Sequence, residues 1–394
     1  MPSAYFTLAV TAAIQALVAM AAVSVPVLAP DAARDLGIAP TLIGYFIGMM
    51  YVGASFAALV SGGLILRFGS IRVSQAALML CGAALALLTV LPLPLIPLAA
   101  ILLGAGYGPI TPASSHVLAR TTPPHMMALM FSIKQTGVPV GAALAGVIVP
   151  QLTIGFGWRV AAWTVAAMCV AVAVLAQMSR RELDADRDPA RPLSVGNLAL
   201  PFRLIFDSPA LKRNVLTALA YAGLQITFFT YIVAYLTHDL AYSLVAAGLA
   251  LSIGNFGGIA GRILWGFIAD RTRAPRVVLG VLGIVMSLVG LSTAAFSAAW
   301  PYGLVLAVCV LFGLTAVGWN GVQISETARL APPGMAAVVS GGTTFIMFFG
   351  VVFYPPIFAL IHDAADSYRV PIVVLAVPAF VLGVVQLIAC RRQA

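Results

Sequence analysis

Charge is scarce in this chain. Asp, Glu, Lys and Arg make up 8% of its 394 residues, where a soluble domain carries about 25%. The remainder is 62% hydrophobic, with a mean hydropathy of +1.06. So few polar groups cannot cover a surface in water, which excludes a soluble globule. In lipid only helices and closed barrels satisfy their own backbone groups. The apolar stretches run for about 20 residues instead of alternating over about 10, which excludes a barrel and leaves an all-α membrane protein.

Reactive side chains are scarce too. The four cysteines, Cys81, Cys169, Cys309 and Cys390, are scattered without disulfide or metal-ligand spacing and read as apolar filler. The histidines, at 116, 125, 238 and 362, fall near span ends, so no Ser/His/Asp set is available and no enzyme is expected. There is no Walker-type loop, so ATP does not drive the protein. Gly104-Ala-Gly106-Tyr-Gly108 imitates a dinucleotide fingerprint, but it sits in an apolar stretch with no strand before it. No cofactor, metal or nucleic-acid partner is expected. The N-terminus lacks Lys and Arg and Pro30 follows Val27-Leu28-Ala29, so the first apolar stretch is expected to stay as a span.

What is present is a series of apolar segments. Twelve membrane-spanning helices are predicted at 5–29, 41–65, 73–92, 94–118, 126–150, 158–178, 214–236, 243–268, 277–297, 300–327, 335–361 and 370–390. Of the 21 lysines and arginines, Lys134 and Arg262 fall inside spans. Arg34, Arg159 and Arg369 fall on one side, and the other sixteen fall on the side that holds both termini. Basic loops stay in the cytoplasm. The net charge of +9 is therefore topology, with both termini cytoplasmic in a bacterial inner membrane.

The longest polar stretch, Ser179 to Asn214, separates two halves. It reads as a cytoplasmic linker, 179–213, with a short interfacial helix in Leu198–Leu211, between six-helix bundles at 1–178 and 214–394. The halves repeat each other. Asp35, Gly53, Gly62, Arg67, Arg72 and Val73 match Asp239, Gly257, Gly266, Arg271, Arg276 and Val277 at a shift of 204. Gly104, Arg120, Pro123 and Met126 match Gly313, Arg329, Pro332 and Met335 at a shift of 209, and Gln15 matches Gln225 at 210. Parallel six-span repeats are a transporter architecture with a site near the bilayer midplane.

Three motifs make the likeness specific. Gly266-Phe-Ile-Ala-Asp270-Arg271 resembles the loop motif between spans 8 and 9 of the major facilitator superfamily, and Gly62-Gly-Leu-Ile-Leu66-Arg67 resembles the same motif between spans 2 and 3. Gly137-Val-Pro139-Val-Gly141 resembles the superfamily's glycine–proline motif in span 5. The resemblance implies a monomeric secondary transporter that rocks two pseudo-symmetric six-helix bundles, as symporter or antiporter. It departs at Leu66, where the superfamily has an acid; Asp270 alone is then left to cap helix ends and pair with arginines, beside Arg271.

The embedded charges are the first candidates for function, because an ionisable group in hydrocarbon costs several kcal/mol unless it faces protein or water. Lys134 shares a helical face with Gly137, Gly141 and Ala145, a smooth face suited to a closing gate between halves. It either snorkels to headgroups or offers a cation to an anionic substrate. Arg262 is either a structural partner of Asp270 or Glu326, or a second cation opposite Lys134. Glu326 is a structural ion-pair partner or a protonatable coupling group, and His116 a hydrogen-bonded helix-end group or a proton shuttle.

The resemblance places spans 1, 4, 7 and 10 around the substrate. They offer Gln15, Tyr107, Thr111, Tyr221, Gln225, Tyr231, Trp319, Asn320 and Gln323, joined by Asn255 of span 8. Such a set suits a small polar solute or interhelical hydrogen bonds equally. Embedded cations outnumber embedded acids, which favours an organic anion as cargo. The alternative is a proton-driven drug or metabolite exporter, for which Glu326 would be the working acid.

Overall fold

The computed structural model describes residues 4–37, 43–190, 198–242, 244–297 and 299–391. Arg191 and Arg392, two of the residues that set the charge asymmetry, lie outside them. Every regular element among the described residues is helical. Long apolar runs with backbone groups that must be satisfied locally leave no other choice.

Among the described residues, twelve helical stretches are long and apolar enough to cross a membrane, and each overlaps a predicted span. Nine are single helices: α1 (Ala4–Leu36), α2 (Ile43–Phe68), α3 (Ser70–Leu88), α8 (Trp158–Leu183), α10 (Pro209–His238), α11 (Leu244–Thr272), α12 (Pro275–Ala294), α15 (Ala336–Ala365) and α16 (Arg369–Arg391). The other three are interrupted. Span 4 consists of α4 (Ile96–Tyr107) and α5 (Ile110–Thr121), divided at Gly108-Pro109. Span 5 consists of α6 (Met127–Gln135) and α7 (Gly137–Phe156), divided at Thr136. Span 10 consists of α13 (Tyr302–Ala316) and α14 (Trp319–Leu330). The expected interfacial helix is α9 (Ala199–Asp207).

Proline marks only one of these divisions. Pro109 follows the last turn of α4, where its ring clashes with the preceding turn. Pro355 and Pro356, in contrast, lie inside a continuous α15.

The chain forms two compact units. The first holds Met1–Pro123, Lys134–Ile205 and Ala331–Phe345; the second holds Pro124–Ile133, Phe206–Leu330 and Ile346–Ala394. The first core gathers Val18, Met20, Leu78, Leu85, Leu103, Val117 and Val165 from spans 1, 3, 4 and 6. The second gathers Leu224, Leu236, Leu279, Met286, Phe312 and Trp319, with Phe228 stacked on Phe312 at 3.7 Å between ring centres.

Glycine permits close helix approaches in both. In the first unit, a Cβ on Gly104 would lie 1.9 Å from the Met50 carbonyl oxygen, and one on Gly141 would lie 2.1 Å from that of Ala16. In the second, a Cβ on Gly313 would lie 1.7 Å from the Gly254 carbonyl oxygen. Small residues let helices pack where hydrophobicity gives no preference over lipid.

The polar stretch after α8 is tied down. The Asp184 carboxylate accepts the backbone N–H groups of Ile71 at 2.7 Å and Arg72 at 3.1 Å, capping α3. Gly69 before that helix has φ of 96°, and a Cβ there would strike the Asp184 side chain. Burial pushes the Asp184 carboxyl up, against the downward pull of those two amides and of Arg180. Asp186 pairs with Arg120 and, at 2.7 Å, with His116 Nε2. Burial raises that carboxyl too, but the His116 hydrogen bond and the His116 and Arg120 charges outweigh it and hold Asp186 below the usual range.

Candidate functional site

Lys134 is the penultimate residue of α6 and is 2% exposed. Its ammonium donates to Gln15 Oε1 at 2.7 Å and to Gln135 Oε1 at 3.1 Å. The side chain therefore turns into the first unit and does not snorkel to headgroups. Both acceptors are amide oxygens, one on α1 and one on the neighbouring residue of α6.

The glycine face explains how this contact forms. A Cβ on Gly137 would lie 2.8 Å from the Ala12 carbonyl oxygen and 3.0 Å from Gln15 Cβ. Span 5 can thus lie on span 1, which brings together two side chains 119 positions apart. The smooth face was expected to serve as a gate between the sequence halves. It is instead spent on α1, within the first unit, because glycines at 137 and 141 match the α1 backbone between Ala12 and Met20.

Two other candidates of the first unit flank the division in span 4. Tyr107 ends α4, with its ring edge-on to Tyr51 at 6.4 Å. Thr111 is half-buried in the first turn of α5. His116, one turn on, is committed to Asp186.

The second unit assembles its own polar cluster. Gln225 Oε1 accepts from Trp319 Nε1 at 3.1 Å and from Asn320 Nδ2 at 3.4 Å. The Trp319 indole is fully buried and meets Tyr221 edge-on at 5.7 Å. Gln323 Nε2 donates to Thr327 at 3.1 Å, and Asn214 donates to the Gln323 carbonyl. The matched glutamines therefore do comparable work in both repeats: each holds a donor from another span.

The remaining candidates disperse. The Tyr221 hydroxyl donates to the Leu279 carbonyl and that of Tyr231 to the Pro355 carbonyl, so both join helices. Asn255 is exposed on α11 and donates to the Leu251 carbonyl of its own helix. Arg262 is 6% exposed in the second unit. The two acids considered as its partners are engaged elsewhere. The Asp270 carboxylate accepts the amides of Ala128 at 3.0 Å and Leu129 at 2.7 Å at the start of α6. Glu326 pairs with Arg276 Nε at 2.6 Å and not with nearby Arg329. Arg271 is exposed.

Sequence reasoning missed Gln135, Asp184, Asp186 and Arg276. Gln135 adjoins Lys134 and could have been found from that adjacency. The two linker acids stand in a charged run that gives no sign of which one folds back. No group of three or more His, Cys, Asp or Glu side chains that could hold a metal occurs among the described residues.

The comparisons agree with this architecture. The chain is 22% identical over 274 residues to the hexuronate transporter of Bacillus subtilis, covering 68% of this chain and 58% of that protein. It is 24% identical over 390 residues to the 4-hydroxybenzoate transporter PcaK of Acinetobacter baylyi, covering 89% and 83%. The fold is similar to that of the Escherichia coli fucose:proton symporter, with a TM-score of 0.76 at 16% identity over 98% of this chain and 99% of the other. The family model described as Major Facilitator Superfamily matches residues 11–355, most of the chain, and the chain belongs to that superfamily.

Proposed function

We propose that this multi-pass membrane protein is a secondary transporter that carries a small organic anion by alternating access. The single observation that carries the choice of cargo is Lys134: a buried ammonium inside a span, oriented by the amides of Gln15 and Gln135. A charge kept in hydrocarbon at a cost of several kcal/mol signals use of that charge. Gln15, Tyr107 and Thr111 would supply donors and acceptors for the rest of the solute.

Two relatives favour the same chemistry, since hexuronate and 4-hydroxybenzoate are both carboxylates. The positive-inside pattern supports a bacterial inner membrane with both termini in the cytoplasm. The proton-driven exporter needs an acid that exchanges protons with the gradient. Glu326, its candidate, is committed to Arg276, which leaves the anion carrier the better-supported of the two.

Uptake into proteoliposomes loaded against a panel of carboxylates, neutral sugars and cationic dyes tests the proposal. Carboxylates should be carried and Lys134→Ala should abolish their uptake. Equal uptake by that variant, or transport of cations alone, would refute it.

A further inference from the structure

The second unit has an open pocket of about 440 Å³ where α11 gives way to α12, lined by Arg273, Arg276, Glu326, Arg329 and Cys390. It involves none of the groups assigned to the transported solute, and its interpretation does not depend on that assignment. Its charge balance is one-sided. Glu326 is the one acid in the lining, and it already pairs with Arg276. No carboxylate is hydrogen-bonded to Arg273 or Arg329 among the described residues; the Asp270 carboxylate, whose charge reaches Arg329, is occupied by the α6 amides. The backbone is also strained here: Arg273 has a φ of 54°, a conformation that a residue with a Cβ adopts at a cost.

The internal repeat indicates what is missing. Arg72 and Arg120 of the first repeat correspond to Arg276 and Arg329 of the second. In the first repeat two carboxylates arrive beside them: Asp184 takes the first-turn amides of α3, and Asp186 takes Arg120. In the second repeat α12 begins at Ala274-Pro275 with no side chain capping its first turn, and Arg329 lines open space. Glu326 serves Arg276 in the second half, but the carboxylates beside Arg120 and the α3 start have no counterpart, among the described residues, beside Arg329 and the α12 start.

We infer that this pocket is a binding site for a phosphate group, held by Arg273 and Arg329 beside the α12 N-terminus. Guanidinium forks match the several acceptor oxygens of phosphate, and a helix start adds N–H donors and a positive dipole end. The 440 Å³ of space admits a group larger than the carboxylate that fills the equivalent place in the first half. Such a phosphate could belong to an anionic lipid headgroup or be free in solution.

Full-length protein purified in neutral detergent can be titrated separately with phosphatidylglycerol and with inorganic phosphate, with binding read by native mass spectrometry and by maleimide labelling of Cys390. Cys390 is the half-buried one of the four cysteines, the other three being buried, so its alkylation reports on the pocket in the wild-type chain. One probe should bind saturably and slow Cys390 labelling. The R273Q/R329Q variant, altered at two exposed positions, should bind about a hundredfold more weakly or worse, as expected for two lost charged hydrogen bonds. R181Q, an exposed charge elsewhere, should bind as wild type. Binding of the lipid alone assigns the site to a headgroup, and binding of inorganic phosphate assigns it to a free phosphate. Absence of saturable binding of either probe, no protection of Cys390, or equal weakening by R181Q would overturn the inference.

Discussion

The Lys134 ammonium donates a 2.7 Å hydrogen bond to the side-chain oxygen of Gln15, joining span 5 to span 1. The bond fixes where a buried positive charge points. It also depends on two glycines that let those spans approach.

Lys134→Ala should remove the charge and reduce carboxylate uptake about a hundredfold or more, in keeping with the loss of a desolvated charge pair to substrate. Lys134→Arg should not restore it fully, because a planar fork does not replace a compact ammonium in a close-packed site. Gln15→Ala should give an intermediate loss, mainly in apparent affinity. Initial uptake rates across substrate concentrations check all three.

Gly141→Ala should destabilise the protein by about 1–3 kcal/mol, since an added methyl would need the α1 backbone to move. The Cβ would lie 2.1 Å from the Ala16 carbonyl oxygen and 2.8 Å from the Met20 amide nitrogen. Gly146→Ala should be close to neutral, because nothing lies within 4 Å of its Cβ. Thermal unfolding of both variants in detergent makes the comparison; equal midpoints would show that spans 1 and 5 do not meet through Gly141.

Glu326→Gln breaks a pair with Arg276 whose acid is 5% exposed and whose arginine is 29% exposed at the side chain. Loss of one partner from a fully buried pair costs about 3–5 kcal/mol. Partial exposure of the arginine reduces the expected cost here to about 1–3 kcal/mol. Gradient-driven accumulation per folded molecule should survive. Loss of accumulation with unchanged stability would move Glu326 from a structural role to a coupling role.

Acid should release the linker. Burial opposes ionisation of Asp186, but His116 and Arg120 together hold its carboxyl below the ordinary value of 3.8. A carboxylate with a depressed folded value stabilises the fold above the unfolded value and loses that contribution as pH falls through the folded one. Asp184 acts in the opposite sense: burial raises its value, so its ionised form weighs against the fold as pH rises through and beyond 3.8. The acid limb of a stability–pH curve, below about pH 4, should therefore be flatter in Asp186→Asn than in wild type. Identical limbs would mean that Asp186 is not held by His116 and Arg120.

Much of the fold was legible in the sequence, since its signals are additive along the chain. All twelve spans follow from runs of apolar residues, and the repeat follows from matched glycines and arginines. The interruption at Gly108-Pro109 was marked by proline, whereas the one at Thr136 carries no comparable mark. The site was legible only as a pool of candidates. Gln15 stood out through its match to Gln225, but nothing local linked it to a lysine 119 positions away. The partners of Asp270 were predicted as a type, helix-end amides, but not as Ala128 and Leu129.

The amino-acid order by itself determined that the chain is helical, membrane-spanning and duplicated, because hydropathy and backbone satisfaction act within a few neighbouring residues. Only the tertiary structure decided that Glu326 meets Arg276 and that two linker acids fold back onto spans 3 and 4. Which polar groups pair depends on how closely and in what rotation helices pack. That is set by a handful of glycine contacts whose geometry no single stretch of sequence contains.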